Sequence, residues 1–145
     1  MKCKDVMTKN PTTCELTATV QAAALVMSEE DVGIVPIVER TSKRLVGVIT
    51  DRDLCLDVIA VGKNPKEMPV SASLHRHPVT CRPEDDIDLC MERMKAWQVH
   101  RIPITDENGI CVGIISQKDL ALHLQQSEQI HDTIREISKP TGWTA

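Results

Sequence analysis

Apolar and polar positions along this chain follow one plan twice. Each time a short β-like piece (Thr12 to Cys14; Val79 to Cys81) leads into a helical pattern, expected over Thr17 to about Glu30 and over Glu84 to about Trp97. In the second of these Ile87, Cys90, Met91 and Met94 recur at helical spacing, with Asp88, Glu92, Arg93 and Lys95 on the other side, which predicts an amphipathic helix. The first, ATVQAAALVM, is apolar nearly all round, so the pattern predicts burial on a second face as well. An apolar run comes next, IVPIV from Ile34 and RIPIT from Arg101, then a turn (ERTSKR; DENG) and a further apolar run. A glycine closing DENG suits a tight hairpin between the two runs.

The last run of each copy carries the polar chemistry. LVGVITDRDL, Leu45 to Leu54, returns as CVGIISQKDL, Cys111 to Leu120. The pattern predicts a buried strand running into the first turn of a helix, expected over about Asp51 to Ala60 and about Gln117 to Gln126. Thr50 or Ser116 then stands near the N-cap and Asp53 or Asp119 in the first turn, where side-chain oxygens meet unpaired N–H groups and the positive end of the dipole. A glycine inside the strand, Gly47 or Gly113, predicts a close approach by another backbone or by a ligand.

The two copies are related by a fixed offset of 67, from Pro11 and Pro78 through Met27 and Met94 to Pro36 and Pro103; the offset drops to 66 at Gly47 and Gly113, across the turn. Such self-similarity predicts a duplicated unit. The chain divides into repeat 1 at 4–60, a Pro-, Lys- and Ser-rich linker at 61–74, repeat 2 at 75–126, and a C-terminal helix and tail at 127–145. In the tail Ile130, Ile134 and Ile137 predict a last helix, stopped by Lys139 and Pro140.

Composition narrows the function classes. Net charge is −4 with scattered Lys and Arg, and Trp97 and Trp143 are the sole aromatics, so neither the basic footprint nor the stacking platform of a nucleic-acid binder is expected. No apolar run approaches the roughly 18 residues of a membrane span, and MKCKDVM has no apolar signal core behind it, which predicts a soluble, cytoplasmic protein without a membrane partner. Six cysteines form no CxxC pair and are expected as reduced, mostly buried thiols. His75, His77 and Cys81 have a ligand-like spacing without a fourth partner, so no metal is expected there and none is required for the fold. Nothing resembles a P-loop or a nucleophile elbow, and an enzyme is not expected.

The tandem β-α-β-β-α unit ending in apolar-Gly-apolar-apolar-Thr/Ser-x-x-Asp, with DVM ahead of the first proline, resembles a cystathionine-β-synthase (CBS) domain pair, the Bateman module, over Lys4 to about Leu124. With little chain left over, it is similar to the stand-alone pairs, including the hypoxic-response type. The resemblance implies a mixed α/β (α+β) fold, two pseudo-twofold related repeats packed sheet to sheet, and homodimers formed through helices. It implies clefts for an adenosine compound, whether AMP, ADP, ATP or S-adenosylmethionine.

By position, Asp53 would hold ribose hydroxyls and Thr50 ribose or phosphate, with Ser116 and Asp119 doing so in the second copy. The base rim would fall to Thr13, Cys14, Ile34, Val35 and Pro36, and to Thr80, Cys81, Ile102 and Pro103. His100 and Arg101, whose counterparts Gly33 and Ile34 carry no charge, would reach the phosphate of a nucleotide whose ribose is held by Thr50 and Asp53. The implied function is a non-enzymatic sensor that passes ligand state to an unidentified partner protein. The alternative is an interaction scaffold with vestigial clefts. A homodimer is also expected from the residues, because the apolar stretches Thr19 to Met27 and Leu54 to Val61 exceed what one small sheet covers.

Overall fold

A computed structural model describes residues 1–123 and 128–139. The helices are α1 (Cys3–Val6), α2 (Val20–Glu30), α3 (Asp51–Leu54), α4 (Ile87–Trp97), α5 (Gln117–His123) and α6 (Glu128–Ile137). A π-helical turn, Cys55–Ile59, continues α3, and a 3-10 turn covers Val70–Ala72. The strands are β1 (Thr8–Lys9), β2 (Cys14–Glu15), β3 (Ile34–Val38), β4 (Leu45–Thr50), β5 (His75–Arg76), β6 (Arg101–Thr105) and β7 (Cys111–Ser116).

Both long helices begin three residues later than the apolar pattern alone suggests, at Val20 and Ile87, and a polar side chain caps the first of them. Thr19 Oγ1 accepts from the Ala22 N–H at the start of α2. Each ends at a residue in the left-handed region, Asp31 after α2 and Gln98 after α4, and those two positions are themselves 67 apart. The expected helix over residues 117–126 is seen as far as His123, and the rest of it, together with Pro140 and the side chain of Ile130, lies outside the described residues.

The chain folds as two units, and their composition is not a simple cut in the middle. One unit contains 1–10, 79–107 and the chain from Val112; the other contains 11–78 and 108–111. The short strand ahead of each copy is therefore exchanged. β1, ahead of the first copy, pairs antiparallel with β7 (Thr8 opposite Ile114, Lys9 opposite Gly113), and β5, ahead of the second, pairs antiparallel with β4 (Val48 opposite His75, Gly47 opposite Arg76). One sheet runs β2-β3-β4-β5 with β2 parallel to β3; the other runs β1-β7-β6, and a parallel bridge between Cys81 and Ile104 stands where β2 meets β3 in the first.

The motif glycines exist for this exchange. A Cβ on Gly47 would lie 2.1 Å from Leu74 Cδ1 and 2.6 Å from the His75 carbonyl oxygen, and one on Gly113 would lie 2.4 Å from Met7 Sδ. The close approach foreseen at the glycine is thus made at Gly47 by the exchanged strand β5 with Leu74 before it, and at Gly113 by Met7, just ahead of β1.

Each unit has its own core. In the 11–78 unit Val20, Ala23 and Met27 of α2 close over Val35, Ile37 and Ile49, with Val58 and Val70 completing the cluster. Within the 61–74 stretch, Val70 is fully buried and its N–H donates to the Ala18 carbonyl, while the Val20 N–H donates to Met68. In the other unit Cys90, Met91 and Met94 of α4 pack with Ile102, Ile104, Ile115 and Leu120, and Ile137 of α6 joins them. There α1 is fastened to the turn ahead of α4 by Cys3 N–H to Asp85 O (2.9 Å) and Lys4 N–H to Pro83 O (3.0 Å). Among the described residues, no helix is long and apolar enough to cross a membrane.

Candidate functional site

The opening motif builds the same polar corner in each unit. In the 11–78 unit, β4 ends at Thr50, whose Oγ1 accepts from the Asp53 N–H (3.2 Å) while Asp53 Oδ2 accepts from the Thr50 N–H (2.8 Å). This reciprocal pair satisfies two of the donors a helix start leaves open. The Asp51 N–H donates to the Gly33 carbonyl (3.0 Å), and Ile34 faces Thr50 across the sheet, so the start of β3 adjoins the corner. Asp53 is buried, at 8% exposure, and its second oxygen, Oδ1, lies 2.6 Å from Nε2 of the exposed His75.

In the other unit Ser116 and Asp119 repeat the device. Asp119 Oδ2 accepts from the Ser116 N–H (2.8 Å) and hydroxyl (3.0 Å), and the Asp119 N–H donates to Ser116 Oγ (3.2 Å). The second oxygen, Oδ1, accepts from the Thr8 hydroxyl at 3.0 Å. Gln117 N–H donates to the His100 carbonyl (3.2 Å), matching Asp51 and Gly33 in the first copy. Beside this corner Gln117 Nε2 is buried without a hydrogen-bond partner among the described residues. A buried donor left open costs about 1–3 kcal/mol.

The remaining predicted residues divide between the units. Thr50, Asp53, Thr13, Cys14, Ile34, Val35 and Pro36 belong to one; Ser116, Asp119, Thr80, Ile102, Pro103, His100 and Arg101 belong to the other. Ile34, Val35, Pro36, Ile102 and Pro103 are buried, Thr13 and His100 exposed, and Arg101 half-buried at the start of β6. Cys14 is buried too, and that burial pushes its thiol above the usual range. Of the six cysteines only Cys55 is exposed.

Cys81 lies in a buried group with the thiols of Cys3 and Cys90, and not with His75 and His77, which are in the other unit. Contact with the thiols of Cys3 and Cys90, helped by Arg93, holds the Cys81 thiol below its usual range, and the same contact with Cys81 pushes Cys3 above it.

Thr8 and His75, which hold the second oxygens, are the site residues that motif reading passes over. The offset of 67 relates them, as it relates Met7 to Leu74, so extending the repeat upstream of Pro11 and Pro78 would have found them.

Comparison with known proteins agrees with this architecture. The model of the CBS domain matches residues 3–59 and again 70–126. The chain is 33% identical over 138 residues to the uncharacterised protein YlbB of Bacillus subtilis, covering 95% of this chain and 92% of that protein. Hypoxic response protein 1 of Mycobacterium tuberculosis is 30% identical over 85% of each chain. The crystal structure of Hypoxic Response Protein I, which holds two coordinated zinc ions, superposes with a TM-score of 0.76 at 30% identity over 86% of this chain and 99% of that one. A CBS protein of Pyrobaculum aerophilum solved with AMP has the same fold, with a TM-score of 0.79 at 21% identity over 93% and 99% of the two chains. The chain spans most of the length of each of these relatives. A duplicated strand-to-helix corner, an exchanged edge strand on each sheet and two family matches in register lead to one conclusion: the chain belongs to the CBS domain family, as a tandem pair.

Proposed function

We propose that this chain is a regulatory module without catalytic activity, which binds an adenosine compound (AMP, ADP, ATP or S-adenosylmethionine) and passes its ligand state to a partner protein. The observation that carries this reading is the division of labour in each carboxylate. One oxygen is committed to the helix cap, and the other is held by a side chain, His75 or Thr8, that can rotate away. Vicinal ribose hydroxyls are donors of the kind that replaces such a partner. At the second corner the open amide of Gln117 gains from an acceptor on the ligand. A protein of the same fold was solved with AMP, which supports the ligand class.

In this reading Asp53 and Asp119 hold ribose, Thr50 and Ser116 assist, and Thr13, Cys14, Ile34, Val35, Pro36, Thr80, Ile102 and Pro103 line the base. Arg101, with His100, supplies charge for the phosphate. The test is a thermal-shift and calorimetric panel of adenine nucleotides, S-adenosylmethionine and NAD. Ligand at about 100 times its Kd adds roughly 2.7 kcal/mol, which raises Tm by roughly 5–11 °C for a chain of this size. Arg101→Ala is expected to weaken AMP more than adenosine by about 1.5–3 kcal/mol, the range of a hydrogen bond to a charged group. A flat response to the panel would favour the scaffold reading, and equal losses for AMP and adenosine would remove Arg101 from the phosphate.

We infer a homodimer from the apolar side chains left exposed: Leu25 of α2 (53%) with Ile59 (75%) and Val61 (59%) beyond α3. Leu25 lies outside the core, so Leu25→Glu is expected to give a folded monomer in sedimentation. A wild-type chain that sediments as a monomer at micromolar concentration rejects the inference.

A further inference from the structure

The unit built on α4 contains a second chemically distinctive cluster, remote in kind from the hydroxyl–carboxylate corners. Cys3 opens α1, Cys81 lies on the segment bridged to Ile104, and Cys90 is in the second turn of α4. Their Sγ atoms all lie within 4.8 Å of one another, and the three residues are 0%, 1% and 0% exposed. Each is fixed by backbone bonds: Cys3 N–H to Asp85 O (2.9 Å), Cys81 N–H to Pro103 O (3.2 Å) with Thr105 N–H returning to Cys81 O (2.9 Å), and Cys90 N–H to Asp86 O (3.4 Å). Arg93, one turn along α4 from Cys90, sets Nη1 3.6 Å from Cys81 Sγ and also donates to the Thr80 carbonyl.

We propose that Cys3, Cys81 and Cys90 form a three-coordinate thiolate site for a soft monovalent cation of the Cu(I) kind. A metal–sulfur bond of about 2.3 Å puts trigonal sulfurs about 4.0 Å apart, so the cluster meets that geometry after shifts of less than about 1 Å. Thiolates select soft ions. A structural zinc site wants four ligands, whereas no fourth Cys, His, Asp or Glu completes the group among the described residues. The guanidinium of Arg93 offsets part of the charge that thiolates bring into a buried place. Three well-packed core thiols with no ligand are the competing reading, since free cysteine behaves as a small hydrophobe.

The test uses the full chain, reduced and anaerobic, titrated with Cu(I) against a chromophoric Cu(I) chelator and, separately, with Zn(II) against a zinc chelator. One Cu(I) per chain is expected to be withheld, with Zn(II) held much more weakly. Cys90→Ser should lose more than the roughly 10–100-fold that disturbing an outer-sphere partner costs, while Cys55→Ser, at an exposed thiol outside the trio, should not change the affinity. Because Cys90 is a core residue whose substitution also tests folding, the wild-type chain supplies an independent reading by mass-spectrometric alkylation. One equivalent of Cu(I) should slow labelling of Cys3, Cys81 and Cys90 about ten-fold, by stabilising the closed form, and leave Cys14 and Cys55 unaffected. Failure to withhold Cu(I), protection of cysteines outside the trio, or Zn(II) bound as tightly as Cu(I) would overturn the assignment.

Discussion

The two corners share a backbone device and differ in what holds the free oxygen. Thr50 with Asp53 and Ser116 with Asp119 make the same cap bonds at the same distances, 2.8 and 3.2 Å. Beyond the cap, Asp53 meets an imidazole at 2.6 Å and Asp119 a hydroxyl at 3.0 Å. Asp53 is buried and Asp119 half-buried, and the helix after Asp53 passes into a π-turn while α5 runs on as a regular helix to His123. The difference teaches that duplication preserves what the backbone needs and leaves the exchangeable partner free to diverge, and that partner sits on the exchanged strand. Tuning of one corner apart from the other therefore falls to β1 and β5.

The sharpest way to break the comparison is to disturb those strands through the glycines beneath them. A methyl at Gly47 meets the His75 carbonyl oxygen at 2.6 Å, a backbone atom that cannot move without the whole strand, besides Leu74 Cδ1. At Gly113 the three nearest atoms all belong to the flexible Met7 side chain. Gly47→Ala is expected to cost about 3 kcal/mol and Gly113→Ala about 1 kcal/mol, the two ends of the usual overpacking range. Urea unfolding followed by circular dichroism measures both. Equal costs would mean that β5 gives way as readily as a methionine does.

A smaller effect compares the carboxylates themselves. Removing Asp53 deletes one side of a capping box and leaves His75 without its partner; removing Asp119 deletes the same cap and frees two hydroxyls, of Thr8 and Ser116, that water can satisfy. Loss of a cap costs about 0.5–2 kcal/mol, so Asp119→Ala is expected near 1 kcal/mol. Asp53→Ala should reach about 2 kcal/mol, because a charged acceptor in a more buried place is lost as well. The same denaturation experiment decides it, and a larger loss at Asp119 would reverse the ranking of the two corners.

Much of this is legible in the sequence, for reasons that lie in particular residues. Thr50-x-x-Asp53 and Ser116-x-x-Asp119 announce a cap because the donors they satisfy lie within one turn. Ile87, Cys90, Met91 and Met94 announce a buried face because helical periodicity is a local property. The strand exchange was hidden: β1 and β5 are two residues long, too short to show a period, and the partner that defines each is far along the chain. The same distance hid the thiol trio, since Cys3, Cys81 and Cys90 come from three elements that only the fold brings together. The linker reading of 61–74 rests on its Pro, Lys and Ser content, and composition does not register that Val70 reaches the core, with Met68 and Leu74 packed against it.

The smallest predicted effect sharpens the comparison at the helix ends. Asp31 and Gln98 both sit in the left-handed region, at φ of 53° and 51°, one residue past helices of equal length. The Val32 N–H reaches back to the Met27 carbonyl and the Val99 N–H to the Met94 carbonyl, at 3.1 and 3.2 Å, so both ends make the same closing bond. A side chain in this region costs about 1–2 kcal/mol against the right-handed alternative, and the region tolerates a short Asp better than a long Gln. Glycine removes the Cβ penalty and gives back part of the gain through the greater freedom of the unfolded chain. Gln98→Gly is therefore expected to stabilise by about 0.5–1 kcal/mol and Asp31→Gly by no more than a few tenths. Both positions are exposed, so no packing change competes with the backbone effect. A shift in the urea midpoint at constant slope reads the difference. If Gln98→Gly proves destabilising, the Gln98 side chain is holding the end of α4 through contacts that Asp31 does not make, and the equivalence of the two helix ends fails at that residue.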